Sequence, residues 1–513
     1  MSQLSNRLLF PSIYSAAATI LLLSQQTAAA EWKITPSLNL NETYSDNITL
    51  APQGSEKSDW VTQINPGVSL TGTGSRLKAN AGYVMQNLGY AEGSSRNVTK
   101  HQLSANANVE LVDNLFFLDG RAAISQQNAS QLGQHAVDNT SATGNRTDVK
   151  TYSFSPYLRH NSSDFASSEI RYTHNEANAG TSGLSDSRTD SIQLKLNSGT
   201  AFRTLGWGVD YSNEKTANTT TQDIDRESLS GNLRYLVTPK LSLTATGGYE
   251  KNSYISIASK PESSFWSAGF AWAPSTRTSV DASAGQRFFG NTYSINANHR
   301  TSSTAWALGY SEDITTTQSQ FVIPVTISTA SFLDQLWSAQ IPDQTTRQLF
   351  IDAFIQSNGL PPALSEPVNF LSNRVFLQKR LQASVALTGK KNTLILSLFN
   401  ALRDAQTSQT QDSILLGNTN QALNDKTKQV GGNASWNWRI GSRTSANLNA
   451  AYTRSSDSSL GSTNNSRSIR FGLTRQFQPK LSGSVELRRL QQSSSQSSNY
   501  QENAVTASLS MKF

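Results

Sequence analysis

The sequence predicts an all-β fold: one large antiparallel transmembrane β-barrel of the outer-membrane type, with about 22 strands, or 18 to 24 as the turns are read. Three observations predict it. Apolar and polar residues alternate along nearly the whole chain after residue 30, the period of a strand with one greasy face. Short turns alternate with long polar loops. The chain ends on Val505, Ala507, Leu509, Met511 and Phe513, apolar at every second position. That aromatic-terminated strand resembles the signal by which outer-membrane barrels are recognised for assembly.

Residues 1–30 form a secretory leader. Arg7 supplies the basic start, the apolar stretch is densest from Ala16 to Leu23, and Ala28-Ala29-Ala30 offers small residues for cleavage near Ala30. The apolar stretch is too short for a membrane anchor and is interrupted by Pro11 and by Ser24-Gln25-Gln26. Residues 31–513 then read as a single barrel domain. Val209 and Tyr211 follow Leu205 and Trp207 on one face; Leu241, Leu243, Ala245, Gly247 and Tyr249 repeat the pattern, as do Val430, Ala434, Trp436 and Trp438. Strands of nine to thirteen residues are expected, the length that a tilted strand needs to cross a bilayer. Trp32, Tyr44, Trp60, Tyr90, Tyr211 and Tyr452 are placed in the interfacial girdles.

Turns at 73–75, 112–114, 161–164, 238–240, 274–277, 300–303, 388–392, 440–443 and 478–480 are short. Loops such as 45–59, 127–148, 251–263, 404–425 and 491–499 are long. Short turns on one side and long loops on the other place the short ones in the periplasm. Arg287-Phe288-Phe289-Gly290-Asn291 is expected to make a tight outer hairpin.

One connection breaks the pattern. Residues 313–373 contain a helical stretch after Pro342, with the candidate gate residues Leu349, Phe350 and Phe354 at helical spacing. The insertion reads either as a surface lid or as a constriction inside the lumen; wide barrels are commonly plugged.

The 513 residues carry 43 Lys and Arg against 36 Asp and Glu, a formal charge of +7, no cysteine and five histidines, and the mean hydropathy is −0.44. A low hydropathy fits a barrel with one polar face. The absence of cysteine excludes disulfides and thiolate chemistry. His101, His135, His160, His174 and His299 are scattered over different hairpins, and no catalytic or phosphate-binding motif is present, so neither an enzyme nor a cofactor is expected. Basic residues are dispersed rather than striped, so no nucleic-acid partner is expected. Alternation turns Arg171, Arg287 and Arg403 toward the lumen, where they are the candidate contacts for a polar solute. Glu110, Asp119, Glu169, Asp210, Asp281 and Glu486 face them in a mixed, mildly basic interior. The expected partners are outer-membrane lipid, lipopolysaccharide and the barrel assembly machinery. A siderophore-type transporter, which needs a large plug ahead of its first strand, is disfavoured by a first strand beginning near Trp32.

Glu42-Thr43-Tyr44-Ser45-Asp46-Asn47-Ile48, Thr71-Gly72-Thr73-Gly74-Ser75-Arg76, Arg287 to Tyr293, Tyr310 to Asp313 and Asn400-Ala401-Leu402-Arg403 occur in an order that resembles the PEP-CTERM-system-associated outer membrane proteins, a branch of the β-barrel porin superfamily. The resemblance implies a Gram-negative outer-membrane barrel linked to exopolysaccharide and exosortase loci, with exopolysaccharide and export components as further partners. It brings no catalytic residues. The functional expectation is passage or export of a polar polymer through the lumen. The alternative is a non-conducting surface or matrix-anchoring barrel whose long loops bind extracellular polysaccharide.

Overall fold

The computed structural model describes residues 30–513 apart from 131–132, 163, 181–183, 258–259, 323–328, 338–340, 342–346, 348–350, 352–371, 409–424, 459–460 and 496–498, so the expected leader, up to residue 29, lies outside the described residues. The strands are β1 (Glu31–Ser45), β2 (Asp59–Thr73), β3 (Leu77–Tyr90), β4 (Val98–Val112), β5 (Phe116–Asn128), β6 (Arg146–Ser162), β7 (Ala166–Ala179), β8 (Ser187–Ser198), β9 (Leu205–Asn218), β10 (Ile224–Thr238) and β11 (Leu241–Asn252). They continue as β12 (Glu262–Ser275), β13 (Thr278–Arg287), β14 (Gly290–Arg300), β15 (Thr304–Thr316), β16 (Val375–Thr388), β17 (Asn392–Ala405), β18 (Lys426–Arg439), β19 (Thr444–Asp457), β20 (Thr463–Gln478), β21 (Leu481–Ser494) and β22 (Tyr500–Lys512). Each pairs antiparallel with the next. The last returns to the first, from Ser37 opposite Lys512 to Ser45 opposite Ala504, and so closes a barrel of 22 strands. Closure is required because hydrocarbon offers no partner to an unpaired backbone group.

The outer face is apolar and exposed: Leu229, Leu233, Tyr235 and Val237 on β10, Leu243 and Tyr249 on β11, Trp266, Phe270 and Trp272 on β12. Trp32, Tyr44, Trp60 and Tyr452 stand exposed on this face, and Tyr44 and Trp60 pack with ring centroids 5.1 Å apart. Tyr211 is half-buried on the same face. Tyr90 corrects the girdle assignment. Its side chain points into the barrel, is buried, and donates its hydroxyl to the Thr140 carbonyl. Strands run from 10 residues in β13, inside the expected nine to thirteen, to 17 in β6, beyond it. Their outer ends rise above the lipid band, where outward charges pair in water, as Arg188 does with Glu176 at 2.9 Å.

The wall is uneven. β13 and β14 are joined only by Phe288 and Phe289, with Gly290 at φ +111°, a conformation that a side chain disfavours. Between β14 and β15 only six positions pair, from Ile295–Tyr310 to Arg300–Ala305. Above them, Ser311–Thr316 pair only with β16.

Candidate functional site

Two connections fold inward and occupy the lumen. The first is 129–145, between β5 and β6. Its Thr140 is held by Gln63 of β2, whose amide donates to the hydroxyl at 2.7 Å, and by the Tyr90 hydroxyl, which donates to the carbonyl at 3.0 Å. Asn139 donates to Gln86 and Gln126. On the opposite side Gln492 donates to the Gly133 carbonyl at 3.0 Å, Tyr500 donates to the His135 carbonyl at 2.9 Å, and Asp138 forms an ion pair with Arg488. Arg488 also donates to Glu502 at 2.9 Å. Gln63 lies four positions below the outer end of β2, and Arg488 lies six below that of β21, so the segment is seated within the mouth. Lumen burial works against ionisation of Asp138. The Arg488 charge, the Thr140 N–H and the Arg470 charge outweigh it and hold the carboxyl below its ordinary value of 3.8.

The second segment joins β15 to β16, so it spans 317–374 rather than 313–373. Its described helices are α1 (Thr317–Val322) and α2 (Thr329–Trp337). At the outer rim Gln318 donates to the Ser185 carbonyl, and Asn373 accepts the Ser185 N–H at 2.7 Å. Arg374 is fully buried; it donates twice to the Thr407 carbonyl and pairs with Asp425 at 2.5 Å. Deeper, Phe332, Leu333 and Trp337 of α2, with Ile351, pack on Ala305, Ala307, Ala386 and Ile395. These wall residues point inward, because their neighbours Trp306, Leu308, Leu387 and Leu396 are exposed outside. Ala305 is the second residue of β15, so this apolar seat lies at the periplasmic end of the lumen. The insertion therefore runs most of the barrel's height. Burying each of its large apolar side chains contributes roughly 1.5–3 kcal/mol. Within the insertion, Arg347 bonds Asp334 at 2.7 Å and the Ile341 carbonyl at 2.7 Å.

The three candidate arginines all face inward and are engaged by wall or insertion side chains. Arg171 lies between Asp119 at 2.8 Å and Glu169 at 3.0 Å, with its guanidinium 3.7 Å from the Tyr157 ring centroid. Arg287 bridges Glu250 at 2.6 Å and Asp313 at 2.9 Å at the top of β13 and stacks on Phe289. Arg403 donates to Gln378 and, at 2.7 Å, to Gln320 of α1. Among the described residues the three share no partner, so they form no common site. Leu349, Phe350 and Phe354 lie outside the described residues; their neighbour Ile351 is fully buried in the α2 cluster.

Asp138, Arg374 and Trp337 were missed from sequence; alternation turns Arg488 toward the lumen, as the structure shows, but gives no sign of its partner Asp138. One signal was available for the α2 seat: Leu394-Ile395-Leu396 and Ala305-Trp306-Ala307-Leu308 are apolar on both faces, which a water-filled lumen does not call for.

No protein-family model and no curated protein matches the sequence. Among solved structures, the chain is similar to the siderophore receptor PirA from Pseudomonas aeruginosa, at 12% identity and TM-score 0.44 over 94% of this chain and 80% of that one. It is also similar to the FrpB iron transporter from Neisseria meningitidis, at 10% identity and TM-score 0.47 over 96% and 83%. A third is the ferric enterobactin receptor PfeA from Pseudomonas aeruginosa, at 11% and 0.47 over 95% and 82%. At this distance the likeness is one of barrel architecture alone. The strand pairing itself makes the chain a closed, 22-stranded antiparallel barrel of the outer-membrane type.

Proposed function

We propose that the barrel passes a polar polymer of the exopolysaccharide class across the outer membrane, its lumen kept shut at rest by its own infolded segments. The observation that carries this reading is the seat of α2 on Ala305, Ala386 and Ile395 inside the barrel. A segment anchored at the outer rim and resting at the inner mouth is placed to gate, and it is fixed there by side-chain contacts that can be exchanged. The inward face beyond the seat is hydrogen-bonding, with Asn232 on Asp210 at 3.0 Å and Ser155 on Thr173 at 2.8 Å. The periplasmic connections from β8 to β21 carry Arg203, Lys240, Arg277, Lys390, Lys391, Arg443 and Lys480 and no acidic residue. That field draws an anionic polymer to the inner mouth. The resemblance to barrels of exopolysaccharide loci supports the same substrate class.

Single-channel recording tests it. The full barrel conducts little, and replacing 318–373 by a short Gly-Ser link raises conductance about tenfold or more. A folded deletion variant that stays silent removes the gate and favours the anchoring alternative.

A further inference from the structure

Lys428, Arg454, Arg467 and Arg489 are exposed on the outer face of four consecutive strands, β18 to β21. Each stands two positions above an apolar outward residue: Val430, Tyr452, Ile469 and Leu487. They form a level row. Across from Lys428 is Ser456, and Arg454 lies two positions nearer the periplasm. The same offset of two separates Asn465 from Arg467 and Gln491 from Arg489. Strand tilt imposes this drift at the other rim too. The line from Trp438 through Ala446 reaches Leu473, and the exposed aromatic Phe477 lies four positions lower, two strands on.

Elsewhere at this height charges of both signs interleave: Arg188 with Glu176, Lys260 with Glu262, Lys379 with Glu312, Lys426 with Asp404. Among the described residues none of the four row cations has an ion pair. Arg467 lies over the Tyr452 ring, 5.7 Å from its centroid, and Arg489 is supported by Gln501 at 3.2 Å and Asn503 at 3.4 Å. Above the row opens a polar cleft of about 380 Å3, lined by Asn465, Arg467, Gln491, Gln501 and the carboxylate of Glu56.

We propose that this row binds the phosphate groups of phosphorylated glycolipid in the outer leaflet. Its height just above the greasy belt puts the cations at headgroup level. Their unbalanced charge matches phosphate, to which arginine bonds bidentately. The amide-rich cleft beside them suits sugar hydroxyls, which favours a glycolipid over a simple phospholipid. The site is independent of whether the lumen conducts.

Barrel purified in dodecyl maltoside is titrated with lipid A and with the same lipid stripped of its phosphates, and binding is read by native mass spectrometry. Phosphorylated lipid A binds saturably. Dephosphorylated lipid binds about tenfold or more weakly, as does phosphorylated lipid to the variant Lys428→Gln/Arg454→Gln/Arg467→Gln/Arg489→Gln. Neutralising two other outward cations, Lys215→Gln/Lys251→Gln, leaves binding unchanged, and Arg454→Lys/Arg467→Lys/Arg489→Lys retains most of it. Heat-resistant migration on a denaturing gel reports that each variant is folded. Equal affinity of the native barrel for both lipids overturns the site, as does a folded quadruple variant that binds like the native protein. If the quadruple variant does not fold, the two-lipid comparison decides together with the single substitutions Arg454→Gln and Arg467→Gln, each of which is expected to weaken binding of phosphorylated lipid A.

Discussion

Asp138 concentrates what a single residue does in this barrel. It crosses from a loop rooted on β5 and β6 to Arg488 on β21, and it is half-buried. Asn at this position keeps the shape and removes the charge. Arg488 then retains only Glu502 as its described carboxylate partner. Arg488 is buried while Asp138 is half-buried, so losing the charge costs about 1–3 kcal/mol, roughly a fivefold to hundredfold shift toward a released loop. The chain has no cysteine, so a nitroxide attached at Val137→Cys reports on this loop alone. Asp138→Asn increases the mobile fraction of that label. Acid does the same in the native sequence. Because the folded-state pKa lies below the ordinary 3.8, the attachment is complete at pH 5 and above, and it is lost as pH falls through the folded value. A label whose mobility rises neither in Asp138→Asn nor on acidification over the range in which the barrel stays folded refutes the tether.

At the scale of elements, α2 is held by packing rather than by the hydrogen bonds that hold 129–145. Trp337→Ala leaves a cavity against Ala305 and Ala386 and costs the docked insertion about 3–5 kcal/mol. The strand ladders do not depend on it. Gel migration of the folded barrel therefore stays as before, while brief openings in single-channel records become more frequent. An unchanged record shows that α2 does not gate. This contrast also marks how far the sequence could be read. Alternation and turn length made the strands, the closing pair and the two-residue hairpin at Phe288-Phe289 legible, since the bilayer enforces a period of two on every outward residue. The loop 129–145 was not legible as an infold. Its Ser, Asn, Gln and Gly residues suit water or a polar wall equally, and only the long amides of Gln63, Gln86, Gln126 and Gln492 on the facing strands receive it. Helical spacing around Leu349 drew attention to 343–354. The two described residues of that stretch, Arg347 and Ile351, are helical; α1 and α2, at 317–322 and 329–337, come ahead of it and were not expected, because the β-branched run between them disguises both.

For the whole molecule, the ladder between β14 and β15 is the thinnest part of the ring, with six paired positions against 15 between β1 and β2. Amide hydrogen exchange is expected to be faster along Ile295–Arg300 and Ala305–Tyr310 than along the β1–β2 pairing, because fewer bonds must open together. Protection that is uniform around the ring contradicts this.

The insertion springs from the top of β15, beside that thin ladder. A circular wall with one weak stitch does not yield evenly under strain: it parts at the stitch, and whatever is sewn to that edge moves with it. A pull on the outer rim is thus expected to part the wall between β14 and β15, with the insertion and its seat on β15 to β17 travelling together as one piece.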